Sequence, residues 1–291
     1  MNPKIPLTFL MLVLLSLSVI ASVQSQSIVQ SKSGDNHQIS DLYQNKSPSK
    51  KPDQGIATGK VSELDPDAKR WALIIGISDY AGTANDLNYC DDDAVDFCNA
   101  LVNVYGWDRN QIILLIDSNA TKQNILQYIS HISGEEKPGD EVVFFYSGHG
   151  STSTYDVDGD GEKKDECIIP YECQSGYFIW DGDLKKAFSD FESTRMMFFF
   201  DSCYSGGMMD LASAGRLILM ACGERQLSTE SSVWGNGQFT YYFVDQGMLH
   251  AKADSNGDRQ ITFEEAFDYA KANCRSQTPV AFDAFQGDML P

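Results

Sequence analysis

A chain of 291 residues with 42% hydrophobic residues can bury a real core as one large domain or two small ones, which excludes a wholly disordered protein. Its 41 acidic against 22 basic residues give a net charge of −19, which argues against nucleic acid and anionic lipid surfaces as partners and favours basic ligands and hard cations. Seven cysteines without a CxxC pair make a zinc site unexpected and leave at least one thiol unpaired in an oxidising compartment. Cys203 is the candidate for that thiol, while Cys90, Cys98, Cys167, Cys173, Cys222 and Cys274 pair or stay buried.

In chain order, Lys4 precedes an apolar run from Ile5 to Val23, and Val23 and Ser25 stand like a small-x-small cleavage site. Residues 1–25 therefore read as a signal peptide and the protein as secreted or extracytoplasmic, with an uncleaved membrane anchor as the alternative. Residues 26–67 are rich in Ser, Gln, Lys, Asn and Asp, a composition that predicts a flexible linker or pro-segment.

The remaining 68–291 predict one domain. Short, continuously apolar runs at 71–77, 111–116, 141–146, 196–200 and 216–221 read as parallel strands covered on both faces. Helical patterns fill the gaps: 91–104, then Thr121 capping a helix through His131, and Asp181 capping another through Phe191. The aromatic-rich 239–249 reads as the start of a core helix. Such alternation predicts an α/β fold, an open and mainly parallel sheet with helices on both faces.

Two strand ends carry chemistry. "FFYSGHG" sets His149 just past the 141–146 strand, and "FFFDSCYSGG" sets Cys203 just past the 196–200 strand. Ligands of open α/β sheets bind beyond the carboxyl ends of strands, so both residues face one crevice if their strands are neighbours. A thiol beside an imidazole is the minimal equipment of a cysteine nucleophile. The glycines around both residues let backbone N–H groups approach a developing oxyanion.

"YSGHG" followed by "DSCYSGG" resembles the His and Cys motifs of caspase-like cysteine peptidases, the clan of caspases, metacaspases and legumains, and is most similar to metacaspases and their prokaryotic relatives. The resemblance spans roughly residues 70 to 250. It implies a cysteine endopeptidase with Cys203 as nucleophile, His149 as general base and acid, and the N–H groups of Gly150 and Cys203 as oxyanion hole. It also implies a first pocket built on Asp201 and, by position in the acidic turn, Asp93, with Ser147 able to line it. Two carboxylates in a water-poor pocket favour an Arg or Lys side chain. Asp93 has a rival reading as a helix N-terminal acid, a role that Asp91 or Asp92 could fill equally.

Two acidic segments suggest calcium. "DVDGDGEKKDE" places Asp156, Asp158 and Asp160 at alternate positions before Gly161 but lacks the closing Glu, so that Asp165 and Glu166 would have to contribute. "DSNGDRQITFEE" sets Asp254, Asn256, Asp258, the Gln260 carbonyl and Glu265 at the ligand positions of an EF-hand-like loop, with Arg259 where glycine is preferred. For both, the rival reading is an acidic turn with side-chain caps. The basic pairs Lys163-Lys164 and Lys185-Lys186 lie between His149 and Cys203, where caspase-like enzymes are processed, so a self-cleaving zymogen is expected.

The expectation is a calcium-activated peptidase acting as a monomer on proteins or peptides with basic residues, without an organic cofactor. A legumain-like Asn-specific enzyme and an inactive calcium-binding module are the alternatives.

Overall fold

The computed structural model describes residues 55–159 and 161–291. The signal-peptide reading and most of the linker reading fall outside them, as does Asp160. Among the described residues no helix is long and apolar enough to cross a membrane.

In chain order the elements are β1 (Val61–Ser62), β2 (Arg70–Gly76), α1 (Cys90–Asn103), β3 (Ile112–Ile116), α2 (Lys122–Glu135), β4 (Glu141–Ser147), β5 (Gly150–Thr152), β6 (Glu166–Ile168), β7 (Ile179–Trp180) and α3 (Asp181–Ala187). They continue with β8 (Met196–Asp201), β9 (Arg216–Met220), β10 (Glu230–Ser231), β11 (Asn236–Gly237), a π-helical stretch Tyr241–Leu249, α4 (Phe263–Asn273), β12 (Val280–Asp283) and β13 (Asp288–Met289). The five apolar runs of the sequence are β2, β3, β4, β8 and β9. They pair in the order β9-β8-β4-β2-β3, all parallel, and β12 closes the β9 edge in antiparallel sense. This is the mainly parallel α/β sheet that the sequence predicts.

Successive strand residues point to opposite faces, and the phenylalanines make both faces visible. On one face Phe97, Phe145, Phe199 and Phe239 form a continuous stack with centroid spacings of 4.7, 4.7 and 4.6 Å, under α1 and the helical segments near the C terminus. On the other, Phe144 and Phe198 meet Phe188 edge-on at 5.4 and 4.8 Å. Thr121 caps α2 as expected, through Asn124 N–H, and the helix runs on to Glu135. The helix expected through Phe191 ends at Ala187, and its N-cap is Trp180 rather than Asp181.

The reading of 26–67 as a linker needs correction at its end. Asp268 accepts hydrogen bonds from the N–H groups of Ile56 and Ala57, and the buried Asp288 from those of Thr58 and Gly59. Val61 and Ser62 then pair with Asp288 and Met289, and Arg195 reaches Ser62 while pairing with buried Glu141. The compact unit therefore begins at Gly55. Composition hid this because the strap holds by its backbone, which any residue supplies. All seven cysteines are free, and Cys90, Cys98, Cys167, Cys222 and Cys274 are buried in the way small hydrophobes are.

Candidate active site

The carboxyl ends of β2, β4 and β8 finish level. Gly76 pairs with Ser147, and Ser147 with Asp201. His149 and Cys203 each lie two residues beyond these partners, so they leave adjacent strands, about 4.8 Å apart, at one height. Gly150 permits the approach, since a Cβ there would stand 2.1 Å from the Cys203 carbonyl oxygen. Immediately after Cys203 the chain turns at Tyr204, whose φ of 60° costs an L-residue roughly 1–2 kcal/mol. The turn leaves Cys203 half-buried at the crevice.

His149 Nε2 lies 2.8 Å from the carbonyl oxygen of Asn85. A carbonyl only accepts, so Nε2 carries the hydrogen and Nδ1 keeps its lone pair. Cys203 Sγ lies 3.8 Å from the Ser228 carbonyl. Burial pushes the Cys203 thiol up to about 12 and lowers His149 below its ordinary value, so the resting pair is neutral.

Beside this pair lie the two acids. Of the three consecutive aspartates at the start of α1, Asp91 accepts from Ser78 Oγ, Asp92 is exposed and Asp93 is wholly buried. Asp93 Oδ2 accepts from Ser147 Oγ at 2.7 Å and its other oxygen from Gly237 N–H at 3.0 Å. Asp201 accepts from the N–H and Oγ1 of Thr240, both at 2.9 Å, and from Ser228 Oγ. Gly237 fits between the carboxylates; a Cβ there would lie 2.5 Å from Asp201 Oδ2 and 3.0 Å from Asp93 Oδ2. Burial raises both carboxyls, and for Asp93 the nearness of Asp201 raises it further. Asp93, Asp201 and Ser147 thus converge, with Asp93 brought there from the first turn of α1.

Sequence reasoning missed three neighbours. Cys90, at the first position of α1, bonds Ser147 with its side chain. Glu230 accepts from Asn88 and Tyr89 N–H groups and so ties the β10 segment to the start of α1. Gln277 accepts from Thr229 N–H and Oγ1 and donates to the Ala221 carbonyl, clamping the segment that bears Ser228. No local pattern marks these positions, since tertiary packing alone assembles them.

Carboxylates converge in two groups with ligand atoms within 4.8 Å of one another, Asp156–Asp158–Asp165 and Glu162–Asp181–Asp210. They adjoin: Asp158 accepts from Gly182 N–H, and Asp181 accepts from Glu166 N–H. Asp165 is buried with Oδ1 lacking a hydrogen-bond partner, as suits an oxygen kept for a hard cation. Glu166, expected as a ligand, instead accepts from Thr152 and packs against Gly207. Asp181 and Asp210 escaped the sequence reading because they come from α3 and from the segment after Cys203.

The second loop forms a different arrangement. Asp254, Asn256 and Asp258 accept from backbone N–H groups of their own loop, and Glu265 completes a capping box with Thr262 while accepting from Ser255. Arg259 takes the left-handed conformation, φ 68°, that the sixth position of such a loop demands. The loop's backbone shape thus follows the expectation, while Asp254, Asp258 and Glu265 are not one of the converging carboxylate groups.

A profile of the metacaspase peptidase C14 domain matches residues 69–212. That match spans just under half of the chain and makes residues 69–212 similar to a metacaspase peptidase domain. Metacaspase-1 of Kluyveromyces lactis is 36% identical over 152 residues, 49% of this chain and 35% of its own length. Metacaspase-2 of Trypanosoma brucei brucei is 37% identical over 150 residues, 48% of this chain and 42% of its own. The chain thus matches well under half the length of these relatives. A crystallised protein from Geobacter sulfurreducens shares the fold, with a TM-score of 0.58 at 20% identity, over 77% of this chain and 95% of that one. The profile ends at 212, before Ser228, Glu230, Gly237 and Thr240, so their contacts with Asp93, Asp201 and the start of α1 are seen in the structure alone.

Proposed function

We propose that the protein is a calcium-activated cysteine endopeptidase that cleaves after Arg or Lys. The observation that carries this reading is the buried pair Asp93 and Asp201 beside the strand end that bears Cys203. Two like charges out of water raise each other's energy, and a guanidinium or ammonium side chain of the substrate relieves both.

In this reading His149 Nδ1 takes the thiol proton as sulfur attacks the scissile carbonyl, since burial disfavours a preformed ion pair. The N–H groups of Gly150 and Cys203 receive the oxyanion. The imidazolium gives its proton to the leaving amine, and water, activated by the same nitrogen, hydrolyses the acyl-enzyme.

Asp156, Asp158, Asp165, Asp181 and Asp210 would hold calcium, which supplies charge that these crowded carboxylates lack. Asp210 lies in the 3₁₀ segment Ser205–Leu211, directly after the nucleophile. Fixing Asp210 would fix that segment and the Cys203 turn with it. The exposed Lys163-Lys164 pair in the same acidic loop is the self-processing point, and export rests on the apolar run within residues 1–25.

The test is hydrolysis of peptides ending in Arg, Lys, Asn or Asp, with calcium or chelator, beside Cys203→Ala. Turnover after Arg or Lys that needs both calcium and Cys203 is expected. Turnover confined to Asn or Asp would overturn the pocket assignment.

A further inference from the structure

His149 is held by its backbone as well as by its ring. Its N–H donates to Tyr80 Oη at 2.7 Å, and its carbonyl accepts from Tyr146 Oη at 2.7 Å. The two hydroxyls are also hydrogen-bonded to each other. Assigning one hydrogen to each oxygen gives a circuit of His149 N–H to Tyr80, Tyr80 O–H to Tyr146 and Tyr146 O–H to the His149 carbonyl at 2.7 Å, with the Ile169 carbonyl at 3.1 Å as the longer second acceptor for that last hydrogen. Tyr146 further accepts from Ile169 N–H at 3.2 Å, which anchors the circuit to the chain after β6.

The surroundings are built for this arrangement. Both tyrosines are wholly buried, and burial holds both hydroxyls far above the usual tyrosine range, so each keeps its hydrogen. The hydroxyls close over Gly148, where a Cβ would meet them at 2.7 and 2.8 Å. The Tyr80 ring also lies against the imidazole, centroids 4.9 Å apart and tilted by 35°. With Asn85 at Nε2, the histidine is fixed at its peptide, one ring face and one ring edge.

We propose that Tyr80 and Tyr146 are positioning residues for the catalytic base, acting as one hydrogen-bonded unit. Neither touches the substrate. Together they set the direction in which Nδ1 meets the thiol, and hydrogen bonds linked head to tail polarise one another, so opening one weakens the rest. The proposal rests on His149 being the base, and its test separates the two claims.

The experiment uses the full chain with calcium and the variants Tyr80→Phe, Tyr146→Phe and their double, with kcat and KM measured separately on an Arg-ending peptide. Alkylation of Cys203 by iodoacetamide, beside His149→Ala, reads the dyad without any demand on substrate preference. Each single variant lowers kcat by about tenfold with KM within about twofold, and the double lowers it by about the same tenfold rather than a hundredfold. Alkylation slows in parallel. Unchanged kcat in Tyr80→Phe, a rise in KM alone, or single effects that multiply would each overturn the proposal. His149→Ala alkylating at the native rate would instead overturn the base assignment. Should Tyr146→Phe fail to fold, Tyr80→Phe alone decides, through its kcat and alkylation rate.

Discussion

Ser147 of β4 faces Asp201 of β8 in the parallel register, and it donates its hydroxyl hydrogen across to Asp93 of α1. One serine thus links the strand that leads to His149, the strand that leads to Cys203 and the helix that brings the second acid. The height of the dyad and the depth of the acidic pair follow from one sheet register, and a slip of one residue would disconnect them.

Replacing Asp93 or Asp201 by Asn removes the charge and keeps the shape. Loss of one partner from a buried charge contact costs about 2–5 kcal/mol, so kcat/KM on Arg peptides falls by about thirtyfold to several thousandfold. The rate of Cys203 alkylation stays within about twofold, because the dyad is untouched. Equal losses in both measurements would remove the pocket role.

The same acids set a pH limit. Both carboxyls are raised by burial, so a proton binds the pair at a pH above the ordinary carboxylate range of about 4 and competes with the substrate cation. On acidification kcat/KM for an Arg peptide declines from a higher pH than that range, while an Asp93→Asn variant keeps only the part of this limb that the buried Asp201 supplies. A profile flat down to about pH 4 would count against the pair.

Under the proposed calcium binding, calcium and pH would be coupled through folding. Burial pushes Glu166 to about 7 and Asp181 to about 8, against ordinary values near 4. Between those limits the folded chain holds protons that the unfolded chain releases, so stability falls as pH rises through the window. A cation favours the ionised form. The thermal midpoint in chelator therefore drops from about pH 5 to about pH 8, and calcium raises it more at the higher pH. An equal calcium effect at both pH values would contradict this.

Gln277 offers a test far from the sheet register. Changing it to Leu leaves Thr229 N–H and the Ala221 carbonyl without their partner, which costs about 1–3 kcal/mol of stability. It also frees Ser228, which orients Asp201, so KM for Arg peptides rises more than kcat falls. Steady-state kinetics beside thermal melts check both parts.

If Lys164 is the self-processing point, Lys164→Ala keeps the chain whole in calcium while Lys186→Ala does not. Lys186 lies within the last turn of α3, where the backbone must unwind before it can enter an active site, whereas Lys164 is in an exposed loop. Electrophoresis of the two variants with and without calcium distinguishes them. Cleavage persisting in Lys164→Ala would move the processing point elsewhere.

The five parallel strands and the placement of His149 and Cys203 past neighbouring strand ends were legible because each rests on local signals: an apolar run, then a glycine-flanked His or Cys. Asp93 and Asp201 were reachable through motif position, but nothing in "DDDAV" distinguishes the buried acid from its two neighbours until α1 is laid over Gly76, where a Cβ would meet the Cys90 carbonyl at 2.3 Å. Glu230 and Gln277 stayed hidden because their partners are more than forty residues away. The strap at 56–59 was read as a linker because most of its order comes from two distant carboxylates, Asp268 and Asp288, joined by only Thr58 Oγ1 and Ile56 among its own side chains.

That strap has a mechanical side. Val61 and Ser62 run parallel to Asp288 and Met289, and the residues before them hang on the Asp268 and Asp288 carboxylates, on the Lys60 carbonyl and on Ile56 packed against the core. Traction on the chain at Gly55 would load these polar contacts first and the catalytic sheet, which begins at Arg70, only after they part. The strap would yield as a fuse yields, sparing the register that aligns His149 with Cys203.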